Sequence, residues 1–367
     1  MWNLSPHQTG VLPVASSTTH GGIFDDPRAL QRMLREYRSP RLLRSLIELL
    51  ITAVPFALFW ALAWITLDAG HWWGFLFTVP AAAFLVRLFM LQHDCGHGAL
   101  FHSRRANDLV GRVIGVLTLA PYDFWRHTHA HHHSTAGNLD RPHTGGINTL
   151  TVRQYQEQSS TGRLLYRLYR HPLILFGLAP SYVFILNYRL PFGFMRHGPM
   201  PWLSTMGTNL GIAIVVTTMI WLLGAGAFLR VQLPVTLLAG SIGIWLFYVQ
   251  HQFSSTVHEH ADDWTFHETA LYGSSHYDLP AVLRWFTANI GVHHVHHLAS
   301  RIPFYRLPEV LRDHPQLRGI SRVTLQQSLG TVRLALWDEE HRQLVAFAPH
   351  ADVTACASAP TATPSAH

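Results

Sequence analysis

The sequence contains no lysine and few charged residues of any kind. Asp, Glu, Lys and Arg together make up 13% of its 367 residues, about half the share usual in soluble proteins. The net charge of +6 therefore comes from arginine, which suits a membrane surface or anionic lipid heads. Base-reading motifs and stacking repeats are absent, so no nucleic-acid partner is expected. The two cysteines, Cys95 and Cys356, lie far apart in sequence, and no structural disulfide is expected.

The apolar residues are gathered into long runs instead of being spread evenly. Crossing a bilayer requires about 20 consecutive apolar residues, and four runs reach that length: about Ser45–Leu67, Trp72–Leu91, Thr205–Leu229 and Val231–Phe253. Each neighbouring pair predicts a hairpin, with one turn at residues 68–71 and the other near Arg230. Arg87, near the end of the second run, is expected to extend its side chain to the membrane interface. The predicted fold class is an all-α integral membrane protein with four spans in two hairpins.

The arginines indicate which side of the membrane each segment occupies. Six lie within residues 28–44, and many more follow Leu91 and Phe253, whereas the two hairpin turns carry almost none. The positive-inside rule then places both termini and the long middle region in the cytoplasm, where they form a helical cap. Two shorter apolar stretches, Leu109–Pro121 and Leu173–Leu186, are predicted to be interfacial or half-inserted helices.

The two ends of the chain differ from its middle. Residues 1–26 are predicted to be flexible and residues 349–367 to form a disordered tail, which leaves 27–348 as one membrane domain. Asp26 followed by Pro27 predicts a helix start. Beyond it, apolar residues recur at helical spacing while arginines fill the other face. This pattern favours an amphipathic helix lying on the membrane, and the alternative is a helix packed on the rest of the protein.

Histidine is unusually abundant, with 27 copies, and three clusters stand out. They are His93-Asp94-Cys95-Gly96-His97, the stretch from Trp125 to His133, and His293-His294-Val295-His296-His297. At about 100° per residue, positions i and i+4 share a helical face, and i, i+3, i+4 form a three-point patch. The residues with this spacing are His93 and His97, then His129, His132 and His133, and then His293, His296 and His297. Each face is expected to direct its imidazole nitrogens at one point.

The number and placement of these histidines predict a metal site with two ions. Eight imidazoles exceed the four ligands that one zinc ion takes, and imidazole nitrogens suit iron. Two spans separate the second cluster from the third, so all three clusters can meet at one membrane face. His251, at the cytoplasmic end of the last span, is predicted to be a ninth ligand. His127 and His131 point away from their patch and His294 lies at the edge of its own, and all three are expected to lie outside the site.

Two polar residues beside the clusters are candidates for supporting the ligands. A ligating histidine usually donates its second ring nitrogen's proton to an oxygen acceptor. Asp94, inside the first cluster, could take this role. Asn289, one turn before His293, could reach the centre directly or through water.

At these residues the chain resembles the membrane fatty acid desaturase family, in particular its bacterial acyl-lipid members. The family's HxxxH, HxxHH and HxxHH boxes match the residues named above, and the resemblance runs from about residue 30 to 345. Flanking segments match as well: His-Asp-Cys-Gly-His-Gly at 93–98, Ser-Arg-Arg-Ala-Asn-Asp at 103–108, and Gly-Ser-Ser-His-Tyr-Asp-Leu-Pro at 273–280. The resemblance implies a four-span fold, a non-haem di-iron site and an acyl chain that enters from the bilayer.

The resemblance also predicts the activity. Two iron ions and dioxygen would insert a cis double bond into a fatty acyl lipid or acyl thioester, in a bacterial cytoplasmic membrane. No His-Pro-Gly-Gly motif of a fused cytochrome is present, so a separate ferredoxin-like electron donor is expected. A di-iron hydroxylase or ketolase acting on an alkane, sterol or carotenoid is the alternative. A membrane haem protein is not favoured, because the span interiors contain no histidine pairs.

Overall fold

The computed structural model describes residues 26–141 and 146–347. The predicted flexible segment before Asp26, the predicted tail at 349–367 and Cys356 lie outside these ranges. Within them the chain forms the helices α1 (Pro27–Arg35), α2 (Leu42–Asp68), α3 (Thr78–His97), α4 (Arg104–Leu117), α5 (Tyr122–Thr135), α6 (Val152–Glu157), α7 (Ser160–Tyr169), α8 (Leu173–Arg189), α9 (Pro199–Leu223), α10 (Ala225–His251), α11 (Phe266–Tyr272), α12 (Ala281–Phe286), α13 (His293–Leu298), α14 (Leu307–Asp313) and α15 (Leu325–Thr331).

The four predicted membrane spans are confirmed. They are α2, the 3₁₀ turn Trp72–Phe77 continued by α3, α9 and α10, and each is long and apolar enough to cross a bilayer. The second hairpin turns earlier than predicted, at Gly224 and not near Arg230. Gly224 has φ +84°, a conformation that glycine adopts at little cost. Arg230 instead lies inside α10, 3.8 Å from Asp68 at the turn of the first hairpin, so the two hairpin turns lie side by side.

Arg87 does not reach the membrane interface, and that prediction was wrong. Its side chain is 1% exposed and forms an ion pair with Glu48 of α2, which is equally buried. The guanidinium also donates to the Thr52 hydroxyl at 3.1 Å and to the backbone carbonyl of Trp285, and it lies 4.0 Å from the Trp285 ring centre. A buried charge is tolerated when it is paired and hydrogen-bonded in this way. The prediction failed because the chain itself supplies the counter-charge.

Helix α1 begins where the sequence predicts, and its apolar face is buried within the protein. The Asp26 side chain accepts from the Arg28 N–H at 2.8 Å, and Pro27 occupies the first turn. Leu30 and Leu34, on the apolar face of α1, are fully buried in a cluster with residues of α11, α13 and α14. The apolar face therefore packs on the cap, which is the alternative raised by the sequence.

The cap is mainly helical but also contains two small sheets that were not predicted. Strands β1 (Leu150–Thr151), β4 (Leu334–Asp338) and β5 (Gln343–Ala346) form one sheet, and β2 (His276–Asp278) and β3 (Arg322–Thr324) form the other. β1 is parallel to β4, with Leu150 opposite Leu336, whereas β5 is antiparallel to β4. β2 and β3 are parallel, and β2 joins the end of α11 to the segment that leads into α13.

The two shorter apolar stretches form helices beside the spans, and only the second is irregular. The first lies mostly in α4. The second is α8, which contains π-helical turns and is bent by 55° from α7. Because Pro180 lies inside α8 and the pair is bent, the segment is not a straight span. Its apolar side chains instead line the space next to α10, as described below.

Candidate metal centre

The histidine clusters lie at the ends of helices that meet at one end of the span bundle. The first cluster forms the last turns of α3, which ends because Gly98 adopts φ +65°. The second cluster lies on α5, and the third forms most of α13. His251 is the last residue of α10. Four separate helices thus deliver histidines to one place.

The structure brings all nine predicted histidines together and divides them into two groups. In each group the ring nitrogens lie within 4.8 Å of one another. The five-histidine group contains His93, His97, His129, His133 and His296, and the four-histidine group contains His132, His251, His293 and His297. The rings of His133 and His297 stack at a centroid distance of 4.1 Å, so the two groups adjoin.

The expectation that each HxxHH face would direct its histidines at one point was wrong. On α5 the i and i+4 residues, His129 and His133, belong to the five-histidine group, and His132 at i+3 belongs to the other. On α13 the division is reversed, because the i and i+4 residues join the four-histidine group and His296 at i+3 joins the five-histidine group. Each of these helices therefore contributes to both groups and holds them at a fixed separation.

Distances within the groups are short enough for shared coordination of an ion. In the four-histidine group, the Nε2 atom of His251 lies 3.1 Å from those of His132 and His293. The Nε2 atoms of His293 and His297 are 3.0 Å apart. In the five-histidine group, the Nε2 atom of His133 lies 3.1 Å from that of His129 and 3.2 Å from that of His296.

Two glycines allow the cluster-bearing segments to approach closely. A Cβ atom on Gly96 would lie 2.9 Å from the Trp125 ring, so only glycine lets α3 contact α5 at this point. Trp125 in turn stacks on the His129 ring, with a centroid distance of 4.6 Å and an interplanar angle of 15°. A Cβ atom on Gly291 would collide with the backbone carbonyl of Tyr277, whose N–H donates to the Gly291 carbonyl at 2.7 Å. These contacts fix α5 and the entry to α13.

The chemistry of the donor set fits two transition-metal ions. Burial lowers the pKa values of His129, His133 and His296 well below the ordinary value, and the neighbouring histidines lower them further. The imidazoles are therefore neutral, the form that binds a metal. The buried Nε2 atoms of His93 and His97 have no hydrogen-bond partner among the residues that the structure describes. Buried polar atoms rarely stay unpaired, and a metal ion would satisfy both.

Asp94 and Asn289 both bind the backbone of Phe304. The Asp94 carboxylate accepts from the Phe304 N–H at 2.7 Å, and its other oxygen lies 3.5 Å from Nδ1 of His93. Nδ1 of His93 has no hydrogen-bond partner among the described residues, so the supporting role of Asp94 stays a prediction. The Asn289 amide instead donates to the Phe304 carbonyl at 3.1 Å, and its backbone has φ +55°. This contact anchors the turn before α13, and among the described residues no hydrogen bond joins the Asn289 side chain to a clustered histidine.

The histidines predicted to lie outside the site are absent from both groups. His127 is exposed and packs edge-on against Phe194. His294 is fully buried, and its Nε2 atom lies 2.9 Å from the Leu317 carbonyl oxygen. Burial lowers the pKa of His294 to about 3, so this ring is neutral as well.

A cavity of about 860 Å³ leads from the histidines into the span region. His93, His129 and His293 lie at one end of it, so both groups border the same space. Along α10 the lining extends from Gln250 to Thr236, which at 1.5 Å per residue is roughly 21 Å. Leu85, Val86 and Phe89 of α3 and several side chains of α8 complete a largely apolar wall. The space has the size and polarity for a long alkyl chain.

Sequence reasoning did not identify the cavity wall or the buried ion pair. The lining residues of α10 fall at positions compatible with one broad helical face: Thr236, Ala239, Gly240, Gly243, Ile244, Leu246, Phe247 and Gln250. This pattern of small and aromatic residues could have indicated a cavity wall. The same pattern is also common where helices simply pack together. A charge of each sign in neighbouring apolar runs, Glu48 and Arg87, could likewise have suggested a buried pair.

Comparison with known proteins agrees with this geometry. The model of the fatty acid desaturase family matches residues 70–327. The chain is 41% identical to a fatty acid desaturase of Bacillus subtilis over 90% of this chain and 93% of the relative. It is 26% identical to an sn-1 acyl-lipid omega-3 desaturase (ferredoxin) of Synechocystis, covering 73% and 74% of the two chains. An sn-1 oleoyl-lipid 12-desaturase of Synechocystis is 28% identical over 61% of this chain and 63% of that protein. The four spans, the paired histidine groups and these matches lead to one conclusion: the chain belongs to the fatty acid desaturase family.

Proposed function

We propose that the protein inserts a cis double bond into a fatty acyl chain at a di-iron centre held by the nine histidines. The observation that carries the proposal is the apolar cavity that ends at His93, His129 and His293. Two metal-binding groups at the end of an alkyl-sized cavity suit a reaction on unactivated methylenes. Desaturation is favoured over hydroxylation or ketolation because the relatives named above are all desaturases.

The chain's own residues would contribute binding, orientation and the exclusion of water. When bound, the irons and dioxygen supply the oxidant that removes two hydrogens from neighbouring methylenes. His93, His97, His129, His133 and His296 would hold one ion, and His132, His251, His293 and His297 the other. Trp125 fixes the His129 ring by stacking, and Asp94 lies within 3.5 Å of Nδ1 of His93. The apolar cavity wall would keep water away from the reacting carbons.

The electron balance requires an external donor. For each double bond, dioxygen takes two substrate hydrogens, two protons and two donor electrons and leaves as two water molecules. A ferredoxin-like carrier supplies the electrons in this proposal, in keeping with the donor printed in the name of a cyanobacterial relative. The substrate is an acyl lipid or an acyl thioester.

We also propose an orientation and a domain extent. Both termini and the cap would face the cytoplasm of a bacterial cytoplasmic membrane, because arginines flank the cap ends of the spans. Residues 27–348 would act as one membrane domain. The histidine groups lie at the cap ends of α3 and α10. A soluble electron donor would then approach them from the cytoplasm, and a lipid chain would approach them from the membrane.

The test combines product analysis with metal analysis. The chain is expressed in a host that lacks desaturases, cellular fatty acids are profiled, and iron is measured in the purified protein. We expect new cis-unsaturated acids and about two irons per chain. His132→Ala and His296→Ala, one from each group, should lose the product and lower the iron content. His127→Ala, an exposed histidine on the same helix as His132, is the matched control and should change neither. Full iron loading in both group variants would refute the assignment, and an oxygenated product without a new double bond would refute desaturation.

A further inference from the structure

Helix α1 lies against the outer side of the third histidine helix. Leu30 and Leu34 belong to the same buried cluster as Val295 and Leu298 of α13. The Gln31 side-chain amide also donates to the Leu298 carbonyl at 2.6 Å. α1 is therefore joined to α13 by a hydrogen bond, and both helices bury apolar side chains in one shared cluster.

The metal ligands lie on the opposite side of α13. At 100° per residue, His293, His296 and His297 cluster on one face, and Val295 and Leu298 lie roughly 180° away. The shared apolar cluster thus separates the ligating face of α13 from the outer face of α1. The outer face of α1 lies on the far side of this cluster from the helix that supplies ligands to both groups.

That outer face is strongly basic. Arg28, Arg32 and Arg35 are exposed on α1, and Arg38 and Arg301 adjoin them. Their only ion pair among the described residues joins Arg32 to Asp26 at 3.8 Å, with both side chains more than half exposed, and a pair of that kind contributes little. The pKa of Arg38 is lowered mainly by burial and, to a smaller extent, by the nearby charges of Arg35 and Arg301. We call these five residues the arginine face.

We propose that the arginine face is the docking surface for the acidic one-electron carrier that reduces the metal centre. The inference rests on the proposed function. Long-range attraction between a basic patch and an acidic partner accelerates and orients docking. Binding here would place the carrier over the outer side of α13. A membrane is the less suitable partner, because an interfacial helix needs a free apolar face and that of α1 is buried in the cap.

The experiment measures carrier binding and carrier-dependent turnover of the full-length, iron-loaded protein in detergent micelles. The probe is an acidic [2Fe–2S] ferredoxin, titrated at low and at high salt. The test variant is Arg28→Glu/Arg35→Glu. The control is Arg153→Glu/Arg333→Glu, which reverses the same number of exposed charges beside the β1–β4–β5 sheet. We expect the test variant to raise the Kd and the KM for ferredoxin on the order of tenfold at low salt, with a smaller effect at high salt, and the control to stay within about twofold.

Two further measurements separate the possible outcomes. In a single turnover driven by dithionite, which needs no docking, the test variant should form as much product as the unsubstituted protein. If the unsubstituted protein forms none, the proposed function has failed and not the docking surface. An unchanged Kd and KM in the test variant would overturn the proposal. So would a loss of binding to phosphatidylglycerol vesicles with no loss of ferredoxin binding, because it would assign the face to lipid.

Discussion

Gly243 lies in the middle of the cavity face of α10, and a larger side chain there should shorten the acyl chain that the enzyme accepts. A Cβ atom built on Gly243 meets no other atom within 4 Å, although the residue lines the cavity. A side chain would therefore enter open space and would not collide with the protein. We expect the series Gly243→Ala, Gly243→Leu and Gly243→Phe to block the cavity progressively.

The size of the effect follows from helix geometry. Gly243 precedes His251 by eight residues, or about 12 Å along the helix axis. A single C–C bond is about 1.5 Å long, so an extended alkyl chain advances ~1.3 Å per carbon and the block would stand about nine carbons from the metal groups. Each methylene that cannot enter the apolar cavity loses ~0.8 kcal/mol of binding free energy. A chain four carbons too long would lose about 3 kcal/mol, or roughly two orders of magnitude in kcat/KM.

The assay feeds saturated fatty acids of graded length to cells that express each variant and compares the desaturated fraction at every length. The Phe variant should lose the longest substrates and keep those whose alkyl chain ends before Gly243, because the block removes the part of the cavity between Gly243 and Thr236, roughly 10 Å or about eight carbons. Gly226→Phe is the control, since Gly226 lies on the same helix, is exposed and also has open space at its Cβ position. An unchanged chain-length profile in a folded Gly243→Phe protein would refute the role given to the cavity.

Two other predictions concern stability. Arg87→Met alone should destabilise the protein by about 3 kcal/mol, the low end of the range for a broken buried pair, because the buried Glu48 carboxylate would keep only its 2.6 Å ion pair with the half-exposed Arg44. Arg87→Met/Glu48→Leu should recover most of this loss, and both variants are measured by thermal unfolding in detergent. A double variant no more stable than the single one would show that the ion pair is not the cause. Leu34→Ala should lower the free energy of unfolding by about 2–5 kcal/mol, because it leaves a cavity in the buried cluster. Arg32→Ala, on the exposed side of the same helix, should lower it by less than ~0.5 kcal/mol. Equal melting temperatures for these two variants would contradict the packing of α1 on the cap.

The local features of the chain could be read from its sequence. The span count followed from run length, the start of α1 from Asp26 and Pro27, and the candidate ligands from the i, i+3, i+4 spacing. His251 was identified from its position at the cap end of a span. These signals work because they concern neighbours in sequence, where helical periodicity determines which residues share a face.

The errors came where the outcome depends on residues distant in sequence. Arg87 was assigned to the membrane interface because Glu48, on another helix, is not in its local pattern. Helix α1 was correctly predicted to be amphipathic, but the sequence did not show whether lipid or the cap would cover its apolar face. Gly224 ended α9 earlier than hydropathy suggested, because a run of apolar residues does not show where the chain reverses.

The sequence by itself determined that four apolar helices cross a membrane, that eight histidines are available at helical spacing, and that a ninth, His251, lies at the end of a span. Only the tertiary structure decided how the histidines are divided, because α5 and α13 each direct residues to both groups and the division depends on how the two helices face each other. It also decided that the cavity ends at these histidines. A single helix cannot enclose a space, and the wall requires α3, α8 and α10 to pack together.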